Sequence, residues 1–351
     1  LLFLTSWGRF QIRFDNILED LKRHGELIDR EANTLDIVEA SRMRQDIRLW
    51  REESLEKLQG EEVERNAKQF RSIASWLKIN ESEQLTIYDT TLEEGSRHPG
   101  TCSWLVRHPR ISAWLQRKPD TPFLWLQGNA GTGKSILAAQ LVKFLRVAKC
   151  NAVSHFCTYS YASSTNYEYI LKSLLLQLLR ENGELVAHAY QECVLGKKSP
   201  SIAMIERLLY TVSISVSNGP RDVQYAWIIV DGLDECEPDK QPRLLSLLNQ
   251  IANKGTPEGG TVCKVLVSSR FSPIISKHLH KKQLVSLSAE TDHLNKAIKA
   301  YASHRLALMN ERFRQLELEA EEIEAIESEI VEKSDGKSQR FLFSWDRFVS
   351  R

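Results

Sequence analysis

The stretch Phe123-Leu124-Trp125-Leu126-Gln127, continued by Gly128-Asn129-Ala130-Gly131-Thr132-Gly133-Lys134-Ser135 and then Ile136-Leu137-Ala138-Ala139-Gln140-Leu141-Val142, decides the fold. An apolar run of strand length leads into a glycine-rich turn, and a helical repeat of apolar residues leaves it. The middle eight residues match G-x-x-x-x-G-K-[ST] without a gap, which average residue usage produces in roughly one chain in a hundred of this length. Glycines let successive backbone N–H groups turn inward around phosphate oxygens, and the start of the helix adds positive potential. Lys134 suits the β- and γ-phosphates of a nucleoside triphosphate, and the Ser135 hydroxyl suits Mg²⁺, which prefers hard oxygen ligands. Residues Gly128, Asn129, Ala130, Gly131, Thr132, Gly133, Lys134 and Ser135 are therefore expected to bind nucleotide.

Working outward, four more apolar runs alternate with amphipathic helices: Ala152 to Cys157, Ala226 to Val230, Val265 to Ser269 and Leu284 to Leu287. Five strands separated by helices predict an α/β fold, a parallel five-stranded sheet with helices on both faces. Trp227-Ile228-Ile229-Val230 ends in Asp231-Gly232-Leu233-Asp234-Glu235. A buried parallel strand delivers carboxylates to the edge where open α/β sheets bind ligands. Asp231 is expected at Mg²⁺. Asp234, with Glu235 close behind, is expected to polarise the water that attacks the γ-phosphate. Arg270 closes the next apolar strand and is expected to read the γ-phosphate or to stabilise charge in the transition state.

The chain has 351 residues, 42% hydrophobic and 26% charged, with Lys+Arg 47 against Asp+Glu 46. That balance argues against a general nucleic-acid binder. Six scattered cysteines without a C-x-x-C pair suit reduced thiols in a cytoplasmic setting. The opening Leu-Leu-Phe-Leu is too short for a signal peptide or a membrane span, so no membrane association is expected.

No proline precedes Pro99, and apolar residues recur at helical spacing at Ile17, Leu18, Leu21, Leu27 and Ile28, then at Leu55, Leu58, Phe70, Ile73, Trp76 and Leu77. This predicts an all-helical domain over 1–80, whose wet faces carry charges such as Arg48, Arg51 and Glu52. Residues 81–122, rich in Thr, Ser, Gly, His and Pro, read as a linker and lead-in segment. The core is expected over 123–299. A C-terminal helical segment is expected over 300–351, its stripe formed by Phe313, Leu316, Ala320, Ile323, Ile326 and Ile330. His278-Leu279-His280 has no carboxylate or cysteine to complete a metal site and reads as solvated. Tyr159, Tyr161, Tyr167 and Tyr169 read as a polar loop entering a helix from Tyr169 to Leu179.

Four stretches together resemble the NACHT-type NTPases of the signal-transduction class, in the nephrocystin-like form common in fungal proteins. They are Gly100-Thr101-Cys102-Ser103-Trp104-Leu105 with Trp114, Phe123 through the phosphate loop, Ile228 to Glu235, and Val265 to Arg270. The segment from Arg13-Phe14 to Ala32 is similar to the helical domain that precedes this NTPase in fungal multidomain proteins. The resemblance implies ATP or GTP bound with Mg²⁺, slow hydrolysis that switches conformation and self-association, and protein partners reached through helical regions. The family normally continues into a winged-helix unit and repeats such as ankyrin, which the tail Phe341-Leu342-Phe343-Ser344-Trp345 matches only loosely. The chain begins at Leu1 and reads as truncated at both ends. A non-hydrolysing, nucleotide-bound interaction module is the competing expectation.

Overall fold

A computed structural model describes residues 15–24, 37–97, 100–180, 182–215, 224–253, 261–290, 292–297 and 299–300. The chain divides into two compact units, Leu1–Ile73 with Val186–Lys198, and Ala74–Leu185 with Ser199–Arg351.

The first unit is helical where described, with α1 at 15–24 and most of α2, Ile37–Leu77. The charges Arg48, Arg51 and Glu52 are exposed, as the periodicity predicts. Leu49, Trp50 and Val63 are exposed as well, at 57%, 57% and 69%. Leu27, Ile28 and the expected helical segment from 301 onward lie outside the described residues.

The second unit holds one sheet of five parallel strands: β1 Phe123–Gln127, β2 Asn151–Phe156, β3 Gln224–Asp231, β4 Thr261–Ser269 and β5 Gln283–Ser286, in the order β2-β3-β4-β1-β5. Helix α5, Lys134–Val147, packs on one face, and α6 Tyr167–Arg180, α8 Ile202–Ser215 and α9 Gln241–Asn253 cover the other. Alternate strand residues serve the two faces. Leu124, Leu126, Ile229 and Leu266 meet Leu137, Ala138, Leu141 and Val142 of α5, while Trp125, Ile228, Val265 and Val267 are buried as well. Both faces are dry, which is why these strands read as unbroken apolar runs. Two buried indoles are satisfied, Trp114 Nε1 donating to Val265 O at 3.2 Å and Trp125 Nε1 to Ser269 Oγ at 2.8 Å, whereas Trp227 Nε1 has no partner among the described residues.

Within 81–122, expected as linker and lead-in, the structure has α3 Ser82–Ser96 and α4 Pro109–Leu115. The Ser and Thr content misleads because these hydroxyls bond back into the helix, Thr86 Oγ1 to Ser82 O at 2.8 Å and Thr91 Oγ1 to Ile87 O at 2.7 Å. Burial of Ile87 and Tyr88 against α5 then holds α3 in place. Helix α6 starts at Tyr167, two residues earlier than expected, because Asn166 caps it through Oδ1 to Tyr169 N–H at 3.1 Å. His278 sits in the last turn of α10, Pro273–Leu279, with His280 at its C-terminal cap rather than on a loop. Short α7, Gly183–Ala189, runs on into a π-helical stretch, Tyr190–Leu195, before α8.

One buried group makes the sheet acid-sensitive. His155 of β2 is fully buried, its Nε2–H donates to Ser164 O at 2.8 Å, and Nδ1 has no partner among the described residues. Burial disfavours the charged ring and lowers its pKa to about 4. The unfolded ring takes up a proton near its ordinary value, so stability is present above that value and is lost as pH falls toward 4. Between pH 7 and pH 5 His155 alone is expected to remove about 2 kcal/mol. Urea unfolding at the two pH values checks this, and His155→Gln, which keeps an N–H donor but does not titrate, is expected to flatten the difference.

Candidate functional site

β1 runs out at Gln127, and the Gly128 N–H donates to Ser269 O at 3.1 Å, which ties the start of the loop to the end of β4. A Cβ on Gly128 would lie 2.5 Å from Thr132 Oγ1 and 3.1 Å from a Leu287 methyl, so a side chain there has no room. The loop closes on itself through Thr132 Oγ1 to Asn129 O at 2.9 Å. Gly133 enters α5 with φ of 80°, a left-handed conformation that favours glycine. Lys134 is the first residue of α5, and its Nζ donates to Asn129 O at 2.8 Å.

β3 delivers Asp231 at the same edge, 2% exposed. Its carboxylate accepts a hydrogen bond from the Ser268 hydroxyl, and the Ser135 hydroxyl favours its charged form. Burial pushes its pKa up, and the two hydroxyls and the Lys134 ammonium oppose that shift. Ser268 Oγ also accepts the Gly232 N–H at 3.1 Å. Gly232 has φ of 70°, and a Cβ there would lie 2.5 Å from Cys157 O. This turn swings Leu233–Glu235 back across the sheet edge as a 3₁₀ turn.

The two acids beyond the turn are held differently. Asp234 accepts the Arg270 N–H through Oδ1 at 2.9 Å and forms an ion pair with the Arg270 guanidinium, Oδ2 to Nε at 3.2 Å. Glu235 accepts the Tyr159 N–H through Oε2 at 2.8 Å, while its Oε1 stands 3.9 Å from Arg270 Nη2. Burial pushes the Glu235 carboxyl above the usual range. Around Lys134, burial lowers the pKa and Asp234, Asp231 and Glu235 counteract it.

Lys134, Ser135, Asp231, Asp234, Glu235 and Arg270 thus stand in one electrostatic cluster at the C-terminal edge of the sheet, built from the ends of β1, β3 and β4. Both Asp234 oxygens are engaged by Arg270, which leaves Glu235 Oε1 as the less encumbered acceptor of the acidic pair. Sequence reasoning missed Ser268 and Tyr159. The polar pair Ser268-Ser269 ending a dry strand was the available signal for the first. A main-chain donor such as Tyr159 leaves no residue-type signal. Among the described residues no three His, Cys, Asp or Glu side chains gather into a metal cage. The Ser135 hydroxyl and the Asp231 carboxylate, which meet at one sheet edge, fit instead the part-protein, part-phosphate ligand set typical of Mg²⁺. Among the described residues no helix is long and apolar enough to cross a membrane.

Residues 100–270, just under half of the chain, match the family described as "Nephrocystin 3, N-terminal". No curated protein matches. Among solved structures, the chain is similar to a DNA replication initiation factor at 11% identity and a TM-score of 0.34, over 72% of this chain and 61% of that one. It therefore spans about three fifths of that protein's length. It is also similar to domain III of the Thermotoga maritima replication initiation protein DnaA, at 11% identity over 72% of this chain and 87% of that one, TM-score 0.35. Drosophila ORC bound to DNA is similar at 15% identity over 69% of this chain and 56% of that one, TM-score 0.35.

Proposed function

We propose that this chain is a nucleotide-binding NTPase that holds ATP or GTP with Mg²⁺ at Gly128–Ser135, hydrolyses it slowly and uses the two nucleotide states as a switch of the NACHT-like signalling kind. One observation carries the reading: Lys134 and Ser135, Asp231, and Arg270 with Asp234 arrive from three separate strand ends at one sheet edge, where Lys134 and Ser135 both favour the charged Asp231 carboxylate. Lys134 exchanges its carbonyl partner Asn129 for phosphate oxygens, a charge-assisted contact. Asp231 and Ser135 would hold Mg²⁺, which when bound would neutralise phosphate charge. Glu235 orients and polarises the attacking water. Asp234 positions Arg270, whose guanidinium moves toward charge developing on the γ-phosphate. Self-association in the triphosphate state and protein partners at helical regions belong to the same proposal.

The exposed Leu49, Trp50 and Val63 of α2 favour a second reading, in which nucleotide is structural and the helical region carries the function by binding a protein. The test is direct titration of the chain with fluorescent ATP and GTP analogues, with Mg²⁺ and with chelator. Micromolar, Mg²⁺-dependent binding is expected, and absence of binding at millimolar nucleotide would sink the nucleotide reading altogether. Binding without any turnover over hours would favour the second reading.

A further inference from the structure

β2 lies at an edge of the sheet and pairs only with β3, so one row of its backbone groups faces away from the sheet. Two of the outward positions are sealed by side-chain amides that imitate a neighbouring strand. At Ser154, Gln177 accepts the N–H through Oε1 at 3.0 Å and donates Nε2 to the carbonyl at 2.8 Å. At Phe156, Gln84 does the same, at 2.9 Å to the N–H and 3.1 Å to the carbonyl. Side chains alternate along a strand, and so do backbone directions. Ala152 is therefore the next outward position in the series, and among the described residues nothing bonds its N–H or its carbonyl.

Beside Ala152 is a groove of 450 Å³, walled by Leu85, Arg146, Lys149, Cys150, Gln177 and Arg180. Its charge is one-sided. Arg146 lies over the Tyr88 ring at 4.7 Å, and Lys149 has no ion pair among the described residues. Arg180 pairs with Glu81, which does not line the groove. Leu85, 48% exposed, adds an apolar rim. An open N–H and carbonyl on one strand residue fit a peptide main chain, which offers both partners, whereas a phosphodiester backbone offers acceptors alone.

We propose that the β2 edge at Ala152 is a docking site for an extended acidic segment of a partner protein. Its main chain bridges to Ala152, and its carboxylates lie against Lys149, Arg146 and Arg180. The site is separate from the nucleotide loop and does not depend on the nucleotide reading.

The test is fluorescence anisotropy on the full chain at low ionic strength. The probe is a labelled peptide of alternating glutamate and valine, compared with its lysine–valine counterpart and with the acidic peptide N-methylated at alternate residues. The acidic peptide is expected to bind with Kd on the order of 10–100 µM, and the other two at least about tenfold more weakly. Lys149→Glu, at an exposed position, is expected to cost about tenfold with an unchanged thermal midpoint. Gln177→Ala frees Ser154 as a second pairing position and is expected to tighten binding several-fold. No binding by the acidic peptide, equal binding by the N-methylated form, or a Gln177→Ala variant that fails to bind more tightly overturns the proposal. So does tighter competition by oligothymidylate, which would make the groove a nucleic-acid site, or self-association of the chain that Lys149→Glu abolishes.

Discussion

Lys134→Ala is expected to weaken nucleotide binding by about 10²–10⁴-fold, because two charge-assisted contacts to phosphate, each about 1.5–3 kcal/mol, are lost together. The same cluster predicts a second consequence. The Lys134 ammonium opposes the burial that raises the Asp231 carboxyl, so its removal drives Asp231 further toward the protonated form. A protonated Asp231 is a poor Mg²⁺ ligand. The Mg²⁺ dependence of whatever binding remains is therefore expected to shrink, and to return partly as pH is raised. Titration with a fluorescent nucleotide at two pH values, with circular dichroism to show that the fold is intact, measures both effects. Wild-type affinity in the variant would remove Lys134 from the site.

Glu235→Gln is expected to lower turnover by about 10²–10³-fold while leaving nucleotide affinity within a few-fold, as for loss of a group that acts on the attacking water. Asp234→Asn is expected to act differently. Asp234 holds both the main-chain N–H and the side chain of Arg270, so its loss loosens an arginine rather than a base. The two variants separate in their pH profiles. Burial holds the Glu235 carboxyl above the usual carboxylate range, so the acidic limb of wild-type turnover is expected above that range too. Asp234→Asn keeps this limb at reduced rate, and Glu235→Gln loses it. If Asp234→Asn alone abolishes the limb, the roles of the two acids are the reverse of those proposed.

Much of the sheet was legible in the residues because its signals are local. Each strand is a run of apolar residues that both faces of a parallel sheet require, and the structure moves their ends by only one or two residues except at the start of β4, which begins at Thr261. The glycine-rich turn needs neighbours within eight positions, and that spacing is visible in the chain. Helix α3 was harder to read. Its Ser and Thr side chains favour turns in isolation, and only burial against α5 selects the helix.

By itself the sequence of Gly128 to Ser135, with Asp231 at the end of one apolar run and Arg270 at the end of another, predicted a single sheet edge at which these residues meet. Tertiary structure alone decided which groups those residues pair with. Asp234 meets Arg270 across 36 positions of chain, Glu235 meets the Tyr159 main chain across 76, and Gln84 seals Phe156 across 72. Such pairings depend on strand order, which places β3 beside β4 and leaves β2 at the edge. Residue types in one chain encode propensity and spacing, whereas the choice between two adjacent carboxylates, or between a sealed and an open strand edge, is made by whichever distant group the fold brings within hydrogen-bonding reach.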